Sequence, residues 1–252
     1  MYFSKHKHLL SNSIMAVAII RLFSSLIEGT VRLLSGRLRI FSPDMLDTYR
    51  WNAKVIFSAG KVLAITAVFF IAWKKLKKYL SVIGEEDIDD MGRLQEEYLR
   101  EGHSALTSDT MAQLLQLWAV ILVGAETIYL VSSAIYRMLV EELTQLFLNG
   151  IPYESYISIY NMSHGFKYLE MLTAILLGVI MTGIFLGDNL LKAVAAVIAV
   201  VFLLAFGIMD MNTVALPGRV VGIVWTSVIF HLTETLGLSL LALYLSRKYN
   251  GL

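Results

Sequence analysis

Apolar and polar segments alternate along this chain, and the lengths of the apolar ones predict membrane spans. A helix needs about 20 apolar residues to cross the hydrocarbon core of a bilayer. Six segments approach or reach that length, at about 12–34, 53–73, 113–136, 168–186, 190–209 and 220–245. The pattern therefore predicts an all-α, polytopic integral membrane protein with about six transmembrane helices.

The longest polar stretch, residues 74–112, separates the second apolar segment from the third. It opens with four lysines and continues with an acidic run. Basic residues next to a span collect on the cytoplasmic side. We therefore predict an N-terminal membrane hairpin (1–73), a cytoplasmic charged insert (74–112) and a four-helix membrane bundle (113–252), with both termini cytoplasmic.

The insert contains one predicted helix, within residues 84–102. Met91, Leu94 and Tyr98 recur at three- and four-residue steps and give it a weakly apolar face. One interpretation is a solvated helix, and the other is docking of a cytoplasmic or membrane protein partner onto these three residues. The pattern leaves both open.

The first apolar segment carries a charged stripe of Arg21, Glu28 and Arg32. Their spacing by seven and four places them on one helix face. The segment is interpreted as a spanning helix whose stripe faces its neighbours. The alternative is an amphipathic helix lying on the membrane surface.

The order of residues over 14–73 resembles that of the small two-helix YqhV-like membrane proteins of endospore-forming bacteria. The resemblance rests on an R-x-x-S-S-x-I-E core, in which stand Arg21, Ser24, Ser25, Ile27 and Glu28. It implies a true membrane hairpin and a Gram-positive bacterial source, and with them a bacterial cytoplasmic membrane as the location. It implies no activity, and the chain after residue 73 lies outside it.

Composition agrees with a membrane protein and excludes several functions. The chain is 57% hydrophobic and 16% charged, below the roughly one-quarter typical of soluble domains. A net charge of +1 argues against a nucleic-acid partner, and the absence of cysteine excludes thiolate chemistry. Common nucleotide-binding, hydrolase and metalloprotease motifs are also missing. We therefore expect no enzyme activity, cofactor or metal site.

Ionisable residues inside the predicted spans are the candidate functional groups, because charge is costly in lipid. Lys61, Glu126 and Glu234 each lie eleven to thirteen residues from a predicted cytoplasmic end. That spacing places them roughly 17–20 Å deep, near the bilayer middle. His231 lies one turn from Glu234.

This polar layer has two interpretations. It is either a proton or cation site with Lys61 as a fixed counter-charge, or a structural ion-pair layer. The function predicted is accordingly that of a non-enzymatic accessory or assembly component of a bacterial cytoplasmic-membrane system. The alternative is a small proton- or cation-coupled transporter or channel. The sequence leaves the oligomeric state open.

Overall fold

Long helices dominate the protein. The computed structural model describes residues 8–37, 43–83, 108–152, 155, 171–213 and 220–249, and no strand occurs among them. We number the helices α1 (Leu9–Arg37), α2 (Pro43–Ile83), α3 (Ser108–Leu148), α4 (described over Met171–Phe185), α5 (Asn189–Thr213) and α6 (Val220–Lys248). The predicted all-α class is confirmed for this part of the chain.

Three of these helices are long and apolar enough to cross a membrane. The candidate spans are Leu9–Ile27 in α1, Val55–Lys78 in α2 and Thr110–Ser132 in α3, with mean hydropathies of 1.7, 2.2 and 1.9. The described parts of α4 and α5 contain shorter apolar stretches, Met171–Phe185 and Asn189–Val201. The length and apolarity of these three helices therefore indicate a membrane protein, and a total of six spans stays a prediction.

Helices α2 and α3 extend well beyond their apolar segments. Each has 41 residues, which corresponds to about 60 Å, or twice the hydrocarbon thickness. Helix α2 begins at Pro43, within the connector expected before residue 53, because proline is well suited to a first helical turn. It continues past residue 73, so the expected boundary between hairpin and insert lies inside a helix.

Helix α3 likewise continues past residue 136, where its predicted apolar segment ends. It ends at Leu148, where Gly150 takes a φ of +106° and its amide donates to the carbonyl of Phe147. The apolar segment thus predicts which part of α3 lies in lipid, whereas Gly150 marks the end of the helix.

Helix α1 is the packing centre, since it contacts α2, α3 and α6. Its buried face consists of residues spaced as on one side of a helix, and all are fully buried: Leu10, Ile14, Val17 and Ala18. Helix α2 also contacts α3. The N-terminal hairpin is therefore part of a common core.

A buried tryptophan joins α3 to α4. The indole N–H of Trp118 donates to the Thr182 hydroxyl at 2.8 Å, and both residues are fully buried. A Cβ built on Gly178 would lie 2.7 Å from the Trp118 ring. Glycine at this position therefore permits the close approach of the two helices.

A tight turn at residues 187 and 188 joins α4 to α5. Gly187 has a φ of +63°, and the amide of Asp188 donates to the carbonyl of Gly183 at 2.7 Å. This is the glycine-terminated helix end that reverses a chain within a few residues. The two helices are therefore joined with almost no loop.

Both ends of the chain's described part meet at one end of the molecule. Ser11 and Met15 of α1 line a groove with Leu243 and Ser246 of α6, so these helices are antiparallel. The α4–α5 turn lies there too, since Asp188 contacts Lys248 at 2.8 Å. We call this the basal end: the first turns of α1, the α4–α5 turn and the last turns of α6.

Candidate functional site

Four helices each contribute one charged side chain to the protein interior. Arg21 comes from α1, Lys61 from α2, Glu126 from α3 and Glu234 from α6. Their relative exposures are 5%, 6%, 1% and 2%. Charges removed this completely from water require partners of opposite sign.

Arg21 joins the two carboxylates. Its Nη1 lies 2.9 Å from Glu126 Oε1, and its Nη2 lies 2.5 Å from Glu234 Oε2. Lys61 Nζ lies 3.5 Å from the second Glu126 oxygen, and His231 Nδ1 lies 3.5 Å from Glu234 Oε2. We call these five residues the charge cluster.

The formal charges of the four buried side chains balance. With both carboxylates ionised, Glu126 and Glu234 contribute two negative charges, and Arg21 and Lys61 contribute two positive ones. The ammonium of Lys61 also lies 5.2 Å from the centre of the Tyr129 ring, at a distance suited to a cation–π interaction. With His231 neutral, the cluster has no net charge to attract an additional ion.

Hydrogen bonding in the cluster is less complete than charge pairing. Both Glu126 oxygens and Arg21 Nη1 are buried and make no hydrogen bond of good geometry within the described part of the chain. These atoms border a cavity of about 10 Å³ that Tyr129 and Met171 also line. Such a volume is on the scale of a single water molecule, the usual partner of buried polar atoms left without one.

His231 forms the edge of the cluster. Its side chain is 25% exposed, whereas that of Glu234 is 1% exposed. The two residues lie three apart on α6 and therefore on the same face. His231 is thus the most exposed member of the charge cluster.

The structure brings together the four residues predicted for the polar layer: Lys61, Glu126, His231 and Glu234. It adds Arg21, which sequence analysis assigned to a separate stripe with Glu28 and Arg32. Those two residues lie on α1, but their side chains are outside the described residues. The predicted docking residues Met91, Leu94 and Tyr98, and the helix predicted within 84–102, also lie outside them.

The depth of Arg21 is the signal that sequence analysis missed. Helix α1 begins at Leu9, so Arg21 is twelve residues from its start. The first segment was expected to begin at residue 12, which placed Arg21 nearer the surface. With the observed start, Arg21 lies twelve residues into α1, as far as Lys61 and Glu126 were counted from their predicted cytoplasmic ends.

Within the described residues, no group of three or more His, Asp or Glu side chains is arranged to hold a metal ion. His231 and Glu234 form the nearest approach to such a pair. The Glu234 oxygen that faces His231 is already bound to Arg21. The cluster is therefore an ion-pair site in its geometry.

A second polar cluster lies at the basal end and was not predicted. Asp188 Oδ2 accepts hydrogen bonds from the Tyr244 hydroxyl at 2.7 Å, the Tyr249 hydroxyl at 2.8 Å and Lys248 Nζ at 2.8 Å. Its Oδ1 accepts from the Leu190 amide at 3.0 Å and caps the start of α5. We call Asp188, Tyr244, Lys248 and Tyr249 the Asp188 clasp.

Hydrogen bonds determine how the clasp titrates. Burial alone would raise the pKa of Asp188, but the hydrogen bonds from Lys248 and the two tyrosines lower it well below its ordinary value. Burial and the bond to Asp188 raise the pKa of Tyr249 to about 12. The clasp therefore keeps an ionised carboxylate and a protonated Tyr249 phenol across the physiological range.

The chain matches no protein-family model, no curated protein and no solved structure. The resemblance of residues 14–73 to the YqhV-like proteins stays a prediction. What supports a function is consequently the geometry of the charge cluster and its surroundings.

Proposed function

We propose that this chain is a non-enzymatic accessory or assembly component of a bacterial cytoplasmic-membrane system. In this proposal the helices form a fixed membrane scaffold, and the polar segment 84–102 offers a docking face to a protein partner. The observation that carries it is the charge balance of the cluster, in which each carboxylate already faces a permanent cation.

Charge balance favours a scaffold over an ion-binding site for an electrostatic reason. A cation attracted to Glu126 would be repelled by Arg21 and Lys61, which already lie 2.9 and 3.5 Å from its two oxygens. The cavity of about 10 Å³ also has no room for a hydrated ion. The same pairs hold α1, α2, α3 and α6 together, which is what a structural layer requires.

The docking part of the proposal is tested on the full chain. Affinity purification from a bacterial membrane extract compares wild type with the triple variant Met91→Ala, Leu94→Ala, Tyr98→Ala. The matched control neutralises the acidic run of the same segment: Asp87→Asn, Asp89→Asn and Asp90→Asn. We expect one co-purifying partner to be lost from the first variant and kept by the second, because the apolar face makes the contact. An unchanged partner set in the first variant contradicts docking through this face.

The proposed orientation places the basal end in the cytoplasm. Arg247 and Lys248 in the last turn of α6 support this orientation under the positive-inside rule, as the four lysines that end the candidate span of α2 support a cytoplasmic location for that end of α2. Reporter fusions after Leu80 and after Tyr153 are expected to report opposite sides of the membrane. The same side for both would overturn the proposed topology.

Proton-coupled transport is the second candidate, and one observation favours it. Both oxygens of Glu126 lack hydrogen bonds within the described residues, and the cluster includes a partly exposed histidine, His231, at 25% exposure. A buried carboxylate on the same cavity as an accessible histidine is a combination of groups that proton pathways in membrane proteins use. Cation-coupled transport has less support, because Arg21 and Lys61 already occupy the cation positions.

Proteoliposomes containing the purified chain and an internal pH-sensitive dye distinguish the two functions. Under the transport hypothesis, Glu126→Gln abolishes proton movement driven by an imposed potential and leaves the melting temperature unchanged. Under the scaffold proposal, wild type moves no protons above the level of empty vesicles, and Glu126→Gln lowers the melting temperature.

A further inference from the structure

The last turns of α2 carry an unusual concentration of positive charge. Lys74, Lys75, Lys77 and Lys78 are all exposed, whereas Leu76 in their middle is 3% exposed. We call the four lysines the lysine arc. Lys74, Lys75 and Lys77 make no ion pair with another described residue.

The arc faces away from the protein core. At about 100° per residue, the buried positions Phe69, Ala72 and Leu76 fall within about 60° of one another on α2. The four lysines cover about 160° on the opposite side. Their positive charge is therefore presented to whatever surrounds the helix bundle.

The surface that leads to the arc is apolar. Ile56, Leu63 and Phe70 lie within about 40° of Lys74 on the helix wheel. They are 68%, 71% and 64% exposed. An apolar stripe of this length on a candidate span faces the acyl chains of lipids, so the arc stands where that stripe leaves the hydrocarbon.

Depth places the arc at the level of lipid phosphates. Lys74 and Lys78 follow Lys61 by 13 and 17 residues, or about 20 and 26 Å along the helix. With the charge cluster at the bilayer middle, hydrocarbon ends about 15 Å away and the headgroup region about 20–22 Å away. Lys74 therefore lies at the outer edge of the headgroup region and Lys78 about 4 Å beyond it, from where an ammonium group on a flexible four-carbon stem reaches back to the phosphates.

We propose that the lysine arc is a binding site for the headgroups of anionic phospholipids. The site goes beyond the proposed scaffold function and does not depend on it. Its occupant is defined by charge complementarity and depth: a negatively charged phosphate at the end of an acyl chain. Each lysine near an anionic membrane surface contributes about a fivefold preference.

Spin-label spectroscopy of the full chain in phosphatidylcholine vesicles tests the site. Trace amounts of spin-labelled phosphatidylglycerol or spin-labelled phosphatidylcholine report the fraction of each lipid immobilised on the protein. We expect wild type to retain phosphatidylglycerol several-fold more strongly than phosphatidylcholine. The variant with Lys74→Gln and Lys77→Gln should lose most of this preference, and 0.5 M salt should weaken the preference in wild type.

The matched control removes two positive charges elsewhere at the basal end, by Lys192→Gln and Arg247→Gln. It should keep the preference, because neither residue belongs to the arc. Both variants must melt as wild type does, since all four side chains lie at least partly in solvent.

Three results would overturn the proposal. They are equal retention of the two lipids by wild type, equal loss in both double variants, and displacement of the lipid by millimolar inorganic phosphate. The first would mean that the lysines are solvated or paired with the acidic run of this same chain. The second would mean a diffuse charge effect, and the third a site for free phosphate.

Discussion

Glu126 and Asp188 are both buried carboxylates, yet they are held in different ways. Glu126 is 1% exposed and lies within ion-pair distance of Arg21 and Lys61, but neither oxygen has a hydrogen bond among the described residues. Asp188 is 4% exposed, and both of its oxygens accept hydrogen bonds. One site depends on charge balance, and the other depends on directional bonds.

The two sites should therefore differ in how much stability they lose when one partner side chain is replaced. In the interior the cavity of about 10 Å³ holds at most a single water molecule in place of a lost cation, so an unpaired carboxylate keeps most of its desolvation cost. In the Asp188 clasp, Lys248 reaches solvent at 46% exposure, and three different side chains donate to one oxygen. We therefore expect a single substitution to lower stability more in the charge cluster than in the Asp188 clasp.

The largest effect is expected from Arg21→Met. The change leaves Glu126 and Glu234 in the interior with Lys61 as the remaining permanent cation. Breaking a buried ion pair by removing one partner costs about 3–5 kcal/mol. Thermal melting of the purified protein in detergent should show a large drop in melting temperature or loss of the folded protein.

Arg247→Met is the matched control, because Arg247 is exposed at the end of α6. It removes the same charge and adds the same side chain, and we expect it to melt as wild type does. A wild-type melting curve for Arg21→Met would show that the cluster contributes little to stability and would contradict its structural role.

A smaller effect is expected from Asp188→Asn. The amide can still cap α5 through its oxygen, but its NH₂ group then faces the donors Tyr244, Lys248 and Tyr249. Leaving buried donors unsatisfied costs about 1–3 kcal/mol. Asn189→Ala, at the exposed neighbouring position, is the control for melting. Equal melting temperatures for Asp188→Asn and Asn189→Ala would show that the hydrogen bonds of the clasp contribute little to stability.

The smallest effect is a pH dependence. A carboxylate whose folded pKa is lowered stabilises the fold above its unfolded pKa, and this contribution is lost as the pH falls through the folded pKa. For Asp188 the unfolded value is near 3.8 and the folded value lies below it. The stability difference between wild type and Asp188→Asn should therefore be constant from pH 7 to pH 5 and shrink only below about pH 4. A gap that closes between pH 7 and pH 5 would show that another group governs the clasp.

Sequence analysis predicted the buried charged residues better than the residues at which the helices begin and end. Depth counting aligned Lys61, Glu126 and Glu234 because a helix rises by a constant amount per residue. Arg21 was missed because the start of α1 was placed three residues late. Local patterns could not reveal it, since its partners lie 105 and 213 residues away along the chain.

The Asp188 clasp could not be predicted for a different reason. The turn at Gly187 has a local signal, a glycine with a φ of +63° at the end of a helix. The contacts of Asp188 with Tyr244 and Tyr249 depend on where the end of α6 packs, which no local pattern encodes. The long extensions of α2 and α3 were missed because apolarity marks lipid contact and says nothing about where a helix continues into water.

The central claim, that the charge cluster is a structural layer, is tested most directly by pairing two substitutions. Glu126→Gln strands Lys61 in the interior, and Lys61→Met leaves Glu126 with Arg21 alone among the permanent cations. Together they remove one charge of each sign and leave the Arg21–Glu234 pair. Melting curves of both single variants and the double variant should show that the double recovers more than half of the stability lost in Glu126→Gln. A double variant whose losses simply add, or single variants as stable as wild type, would contradict the structural account.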